Sequence, residues 1–126
     1  MKKAIVTDKA PAAIGPYSQA IQAGDFLFVS GQTPLDPATG QLVTGSVEDQ
    51  AKRVFENLKG ILEEAGFTTQ HVVKVLVFVT DMDNFAAVNG VYSQYFTAPL
   101  PARSFVAVKG LPKGAQVEVE LIAWKG

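Results

Sequence analysis

Val72-Val-Lys-Val-Leu-Val-Phe-Val79 is almost wholly apolar and rich in β-branched residues, broken only by Lys74. Such a run reads as a central strand buried on both faces. The segments on either side of it decide the fold. Upstream, Ser46 offers a capping hydroxyl, and Glu48 and Asp49 suit the positive end of a helix. Val47, Ala51, Val54, Leu58, Ile61, Leu62 and Ala65 then recur at helical spacing, and Gly66 supplies a stop. Downstream, Asp81 to Asn84 can cap a second helix whose inner face is Phe85, Val88, Tyr92, Tyr95 and Phe96.

Further out, Ala4-Ile-Val6 reads as a short strand, and residues 17–23 and 26–30 as a hairpin around Gly24-Asp25. Residues 11–16 and 31–40 are irregular, because proline and glycine interrupt regular pairing. Two strands close the chain, residues 101–108 and 117–124, with the turn Leu111-Pro-Lys-Gly114 between them. The order is strands, helix, strand, helix, two strands. It predicts an α+β class: one domain over residues 1–126, a mixed sheet with two helices on one face. The other sheet face then needs a cover, and subunit association is a natural one.

Apolar residues make up 48% of the 126 and charged residues 18%, a balance that favours much buried surface. Net charge is −1 with no basic run, which disfavours nucleic acid as a partner. The chain has no cysteine, so disulfides, thiolate metal sites and a cysteine nucleophile are excluded. That fits a reducing compartment, and a cytoplasmic location is the expectation. No apolar run follows the basic N-terminus as in a signal peptide, and none approaches the ~18 residues of a membrane span. His71, the single histidine, has no evident partner for a triad or a metal, and reads as a surface residue.

The strand Pro101-Ala-Arg103-Ser-Phe105-Val-Ala-Val108 carries an arginine near its start, unlike the other apolar strands. A guanidinium presents five donors in a rigid fork and holds a carboxylate by two parallel bonds. The alternative is a surface arginine with its stem packed on neighbours. The last strand places Glu118 and Glu120 on one face with Ile122 and Trp124, since the side-chain period is two. Those acids are either a solvated edge or a base beside the arginine. If the last two strands pair across a symmetric loop, Phe105 faces Glu118 and Arg103 reaches it diagonally. Asn89 falls on the inner face of the second helix, where a buried amide needs partners. It either ties a loop or serves a site. Tyr17 follows Gly-Pro at a strand start and reads as a packing residue with a wet hydroxyl.

Taken together, these segments resemble the RidA family, also called YjgF/YER057c/UK114, over nearly the full chain. The matching stretches are Ala10-Pro-Ala-Ala-Ile-Gly-Pro-Tyr17-Ser-Gln, Val29-Ser-Gly-Gln32, Asn57-Leu-Lys with Glu63-Glu-Ala-Gly66, Val79-Thr-Asp-Met, Phe85-Ala-Ala-Val-Asn89, Pro101-Ala-Arg103-Ser and Leu111-Pro-Lys-Gly with Val117-Glu118-Val-Glu120. The resemblance implies a chorismate-mutase-like fold and a homotrimer with sites between subunits. It implies hydrolytic deamination of 2-imino acids such as 2-iminopropanoate and 2-iminobutanoate, with no cofactor and no metal. It also implies roles. Arg103 matches the carboxylate-binding arginine and Glu118 the glutamate that positions water. Tyr17, Ser30, Gly31 and Asn89 match residues around the pocket. Many relatives carry cysteine after Pro-Ala-Arg-Ser, where this chain has Phe105, so a bulky ring replaces a thiol at the substrate.

Overall fold

A computed structural model describes residues 1–126. Its elements are β1 (Lys2–Ile5), β2 (Ala20–Ala23), β3 (Phe26–Gln32), α1 (Val47–Glu64), β4 (Val72–Val79), α2 (Phe85–Tyr92), β5 (Ala102–Ala107) and β6 (Val117–Trp124). The strands form one mixed sheet in the order β1-β2-β3-β6-β4-β5. The expected α+β class is what the chain adopts. No helix is long and apolar enough to cross a membrane.

Local chemistry fixes the helix α1 at both ends. Ser46 Oγ accepts from the Asp49 backbone N–H at 3.2 Å, and Asp49 Oδ2 accepts from the Ser46 N–H at 3.3 Å. This reciprocal box satisfies two otherwise orphaned donors, and a cap of this kind contributes ~1 kcal/mol. Gly66 closes the helix at φ +81°, a left-handed conformation that a side chain would strain. The apolar stripe of α1 then covers the sheet. Val54, Phe55, Leu58, Ile61 and Leu62 are buried, as are Val75, Val77 and Val79 of β4 and Val117, Val119 and Leu121 of β6. Both helices lie over this face.

Three expectations need correction. The strand β4 is buried on one face only: Leu76 and Phe78 are half-buried, because nothing in the chain covers the sheet's outer side. The last two strands do not pair. β5 runs parallel to β4, a connection that requires a crossover, and α2 supplies it. β6 inserts antiparallel between β3 and β4. The strand β6 is therefore internal, not an edge, and β5 is the edge. The hairpin also begins later than the sequence suggests, with pairing from Ala20 onward rather than from Tyr17.

Candidate active site

The parallel crossover sets α2 above the edge strand, and this builds the surroundings of Arg103. The Arg103 side chain rises from the helix-covered face of β5 and donates from Nη1 to Asn89 Oδ1 at 2.6 Å. Its guanidinium carbon lies 4.7 Å from the centre of the Tyr92 ring, 5.3 Å from Phe105 and 5.9 Å from Phe85. Phe85 and Phe105 meet with ring centres 4.7 Å apart. The guanidinium is thus held by a neutral amide and aromatic faces, which attract a cation without neutralising it. Its remaining donors suit a carboxylate. Desolvation raises the Tyr92 phenol above its ordinary pKa, and the nearby Arg103 charge opposes that rise.

A second group forms around Glu118. Register between β3 and β6 shifts between Val29 and Gln32, so Ser30 and Gly31 form a bulge beside the two acids of β6. Ser30 Oγ donates to the Ser18 carbonyl at 2.6 Å, and its N–H donates to the Gln19 carbonyl at 3.0 Å. These bonds fix the segment that carries Tyr17. A Cβ at Gly31 would come within 2.5 Å of a Glu118 carboxylate oxygen and 3.0 Å of its carboxyl carbon, so glycine lets that head group lie against the bulge. Burial holds the Glu118 carboxyl above the usual carboxylate range, and the charge of Glu120 adds to the rise. A carboxylate shifted this way is a better proton acceptor than an exposed one.

Tyr17, Gly31 and Glu118 line a cavity of about 650 Å³. Buried amides fix its other wall. Asn57 is fully buried and donates to the carbonyls of Thr33 and Leu35; outside the cavity lining, Gln50 donates to the Val43 carbonyl and accepts from the Gln116 N–H. Gln19, 3% exposed, accepts from the Thr7 N–H and donates to the carbonyls of Thr7, Ala10 and Pro11. Nowhere do three metal-ligating side chains converge.

The two groups do not meet within one chain. Val77 of β4 stands opposite both Phe105 of β5 and Val119 of β6, so those three side chains share the helix-covered face. Glu118 is one residue from Val119 and pairs with Phe78 on the outer face. The expected register, with Phe105 facing Glu118, is therefore replaced by one that puts them on opposite sides of the sheet. Arg103, Asn89 and Phe105 do cluster, and so do Tyr17, Ser30, Gly31 and Glu118. His71 is half-buried and accepts from the Thr68 N–H through Nδ1 at 2.9 Å, a capping bond. Sequence reasoning took Phe85 and Tyr92 for packing alone. It gave Gln19, Gln50 and Asn57 no structural role, since a lone amide gives no signal of what its partners are. Lys113, seen only as part of a turn, also lines the cavity.

The outer sheet face carries an apolar patch. Phe26 pairs with Trp124 and Phe28 with Ile122 across β3 and β6. Phe26, Phe28 and Trp124 are 43%, 44% and 45% exposed, far more than side chains of this size in a core. A patch like this is a candidate interaction surface.

Residues 7–125 match the family model described as Endoribonuclease L-PSP. A mouse protein named 2-iminobutanoate/2-iminopropanoate deaminase is 49% identical over 126 residues, covering 100% of this chain and 93% of that protein. Among solved structures, a protein from Thermotoga maritima is 58% identical with a TM-score of 0.98, covering 100% of this chain and 99% of that one. RidA from an Antarctic Psychrobacter is 46% identical with a TM-score of 0.94, covering 98% of this chain and 99% of that one. With its mixed sheet, its crossover helix and a match that leaves out only a few terminal residues, the chain belongs to the RidA (YjgF) family.

Proposed function

We propose that this protein hydrolyses reactive 2-imino acids, 2-iminopropanoate and 2-iminobutanoate among them, in sites shared between the subunits of a homotrimer. One observation carries the reading. A cation suited to a carboxylate and a carboxylate suited to water stand on opposite faces of one sheet, so a site that uses both takes them from two chains. The exposed apolar patch around Phe28 and Trp124 offers the contact surface, on the same face as Glu118. The resemblance to RidA supports three subunits, and the name of the mouse relative supports the substrate class.

The chemistry follows from the two groups. Arg103 of one subunit binds the α-carboxylate, a charge-assisted interaction that contributes ~1.5–3 kcal/mol. Glu118 of the neighbour orients a water and accepts its proton as the water oxygen adds to the imine carbon. The resulting carbinolamine takes that proton on nitrogen. The hydroxyl proton then passes by way of Glu118 to the nitrogen as the C–N bond breaks, so that ammonia leaves and the carbonyl of a 2-oxo acid forms. Water plus imine gives oxo acid plus ammonia, with no redox change. Imines already hydrolyse slowly in water, so orientation and charge placement suffice. Removing such imines would protect pyridoxal-phosphate enzymes from them.

The test is to generate an imine with an amino-acid oxidase and trap the residue with semicarbazide. Faster loss of trappable imine supports the reading, and no acceleration sinks it. Saturable binding of 2-oxo acids without turnover would instead describe a binding module. The ribonuclease activity in the family model's description finds little support in the chain: net charge is −1, and the single histidine is engaged in a capping bond.

A further inference from the structure

We propose that Lys113 gives the Glu118 cavity a second carboxylate site, so that dicarboxylic 2-imino acids of four and five carbons are substrates. The inference rests on the hydrolytic reading above and names a substrate class for the same site.

Seventeen residues line the cavity, and the only two that carry a charge are Glu118 and Lys113. Glu118 is assigned to water. Lys113 has no part in that chemistry, yet it stands in the same wall. Its backbone is unusual. Lys113 adopts φ 59° and ψ 19°, the left-handed region, as the one residue other than glycine in the chain with positive φ. A side chain in that region is disfavoured, and glycine or asparagine would sit there more easily. Strain of this kind concentrates at functional positions. Lys113 is exposed where it lines the cavity, and its Nζ donates to the Gly40 carbonyl at 3.3 Å. An ammonium has three donors, and a single carbonyl takes one.

The receiving loop is well fixed. Asp36 N–H donates to the Gln41 carbonyl, Gly40 N–H to the Asp36 carbonyl, and Asn57 anchors Leu35 from below. The neighbours of Lys113 in the wall, Thr39 and Gln41, are neutral and polar. They leave the ammonium unneutralised and add hydrogen-bonding groups. In the single chain the open cavity measures about 650 Å³, more than a three-carbon acid fills. A substrate with its α-carboxylate on the neighbour's Arg103 and its reacting carbon near Glu118 therefore has room to extend. A distal carboxylate is the group that a lysine point charge would select. The reaction is unchanged: water adds at C=N, ammonia leaves, and the distal carboxylate emerges intact.

The experiment compares kcat/KM for 2-iminosuccinate and 2-iminoglutarate, made in place by aspartate and glutamate oxidases, with that for 2-iminobutanoate. It uses the full chain, Lys113→Gln and Lys113→Asn. Asparagine tolerates the left-handed backbone, so this variant removes the charge without adding strain. The ratio of dicarboxylic to monocarboxylic efficiency should fall about tenfold or more in both variants, chiefly through KM. An unchanged ratio in both overturns the proposal, while hydrolysis of 2-iminobutanoate by the same samples leaves the parent reading standing. A titration with 2-oxoglutarate and 2-oxobutanoate separates the two the other way. Lys113-dependent preference for 2-oxoglutarate without any imine turnover would retain the second carboxylate site and sink the hydrolytic reading. Equal affinity for both oxo acids in the unmodified chain would sink the site.

Discussion

Arg103 and Glu118 stand on opposite faces of the same sheet, with β4 between their strands. No rotamer change joins them, because the alternation of side chains across a strand is fixed by the pleat. A mechanism that needs both must recruit them from different copies. In the proposed function an oligomer is therefore part of the chemistry, which opens a test that a single-chain site would fail.

Arg103→Ala and Glu118→Gln should each lose most of their activity alone yet regain it when refolded together. With random mixing, about a quarter of inter-subunit sites pair an intact Arg103 with an intact Glu118. Hydrolysis should therefore recover to about a quarter of the unmodified rate. No recovery, in mixtures shown by mass spectrometry to contain hybrids, would place both residues in one chain's site or remove one of them from the mechanism.

Arg103→Lys should rescue Arg103→Ala poorly. Lysine keeps the charge but lacks the planar fork, and it loses the ring faces of Tyr92, Phe85 and Phe105 that hold the guanidinium. Losing the charge-assisted bond lowers kcat/KM by about ten- to a hundredfold. Near-normal turnover by Arg103→Ala in a folded oligomer would contradict the assignment.

Glu118→Gln should cut turnover far more than Glu120→Gln, since glutamine keeps shape and hydrogen bonding but takes no proton. The pair also predicts a pH effect. In the proposed mechanism Glu118 works as the carboxylate, which is populated above its pKa, so activity should fall as pH drops through that value. Burial and the Glu120 charge both raise it. Glu120→Gln removes the second of these, lowers the Glu118 pKa and moves the acid limb of the kcat/KM profile to lower pH. A limb that stays in place, or moves up, would show that Glu118 is not the titrating group.

The sequence makes the elements legible and the sheet order less so. Val47 to Ala65 shows its helix through a stripe and a cap, both local signals. The neighbours of β6 are not local. Loop length permits a hairpin from β5 to β6, but the burial of Val75, Val77 and Val79 under α1 and α2 favours the β4–α2–β5 crossover and sends β6 to the far side of β4. Candidate site residues were identifiable through Pro-Ala-Arg103-Ser and Val117-Glu118, and their grouping follows the topology. Arg103 clusters with Asn89 because α2 crosses the edge strand. Glu118 clusters with Gly31 because a bulge in β3 lies beside it. The wall formed by residues 35–41 was unreadable, since its anchor is the isolated amide Asn57, which holds the Leu35 carbonyl.

Light scattering should give about three times the 13.4 kDa chain mass. Phe28→Glu should reduce it toward one. Phe28 is 44% exposed within the chain, so the charge disturbs the outer face while leaving the core packed. Hydrolysis should vanish with assembly although circular dichroism stays native. An active monomer would rule out sites shared between subunits.

Phe105→Cys should loosen selectivity for bulk beside the reacting carbon. Phe105 shares its strand face with Arg103 and packs on Phe85 at 4.7 Å, so its ring walls the space next to a bound carboxylate. A substrate branched near that carboxylate meets the ring, and an unbranched one extends past it. The thiol is far smaller and opens this wall. Truncation also removes packing. A fully buried phenylalanine costs ~3–5 kcal/mol when cut to alanine, and this half-buried one, exchanged for cysteine, should cost less, read as a lower Tm. The measurement is kcat/KM for the three-carbon, four-carbon and branched five-carbon neutral imines in both proteins. The branched imine should gain relative to 2-iminopropanoate in Phe105→Cys. If the ratios do not change while Tm falls, the ring supports Phe85 and Arg103 from behind, and the wall beside the substrate is formed by Phe85 alone.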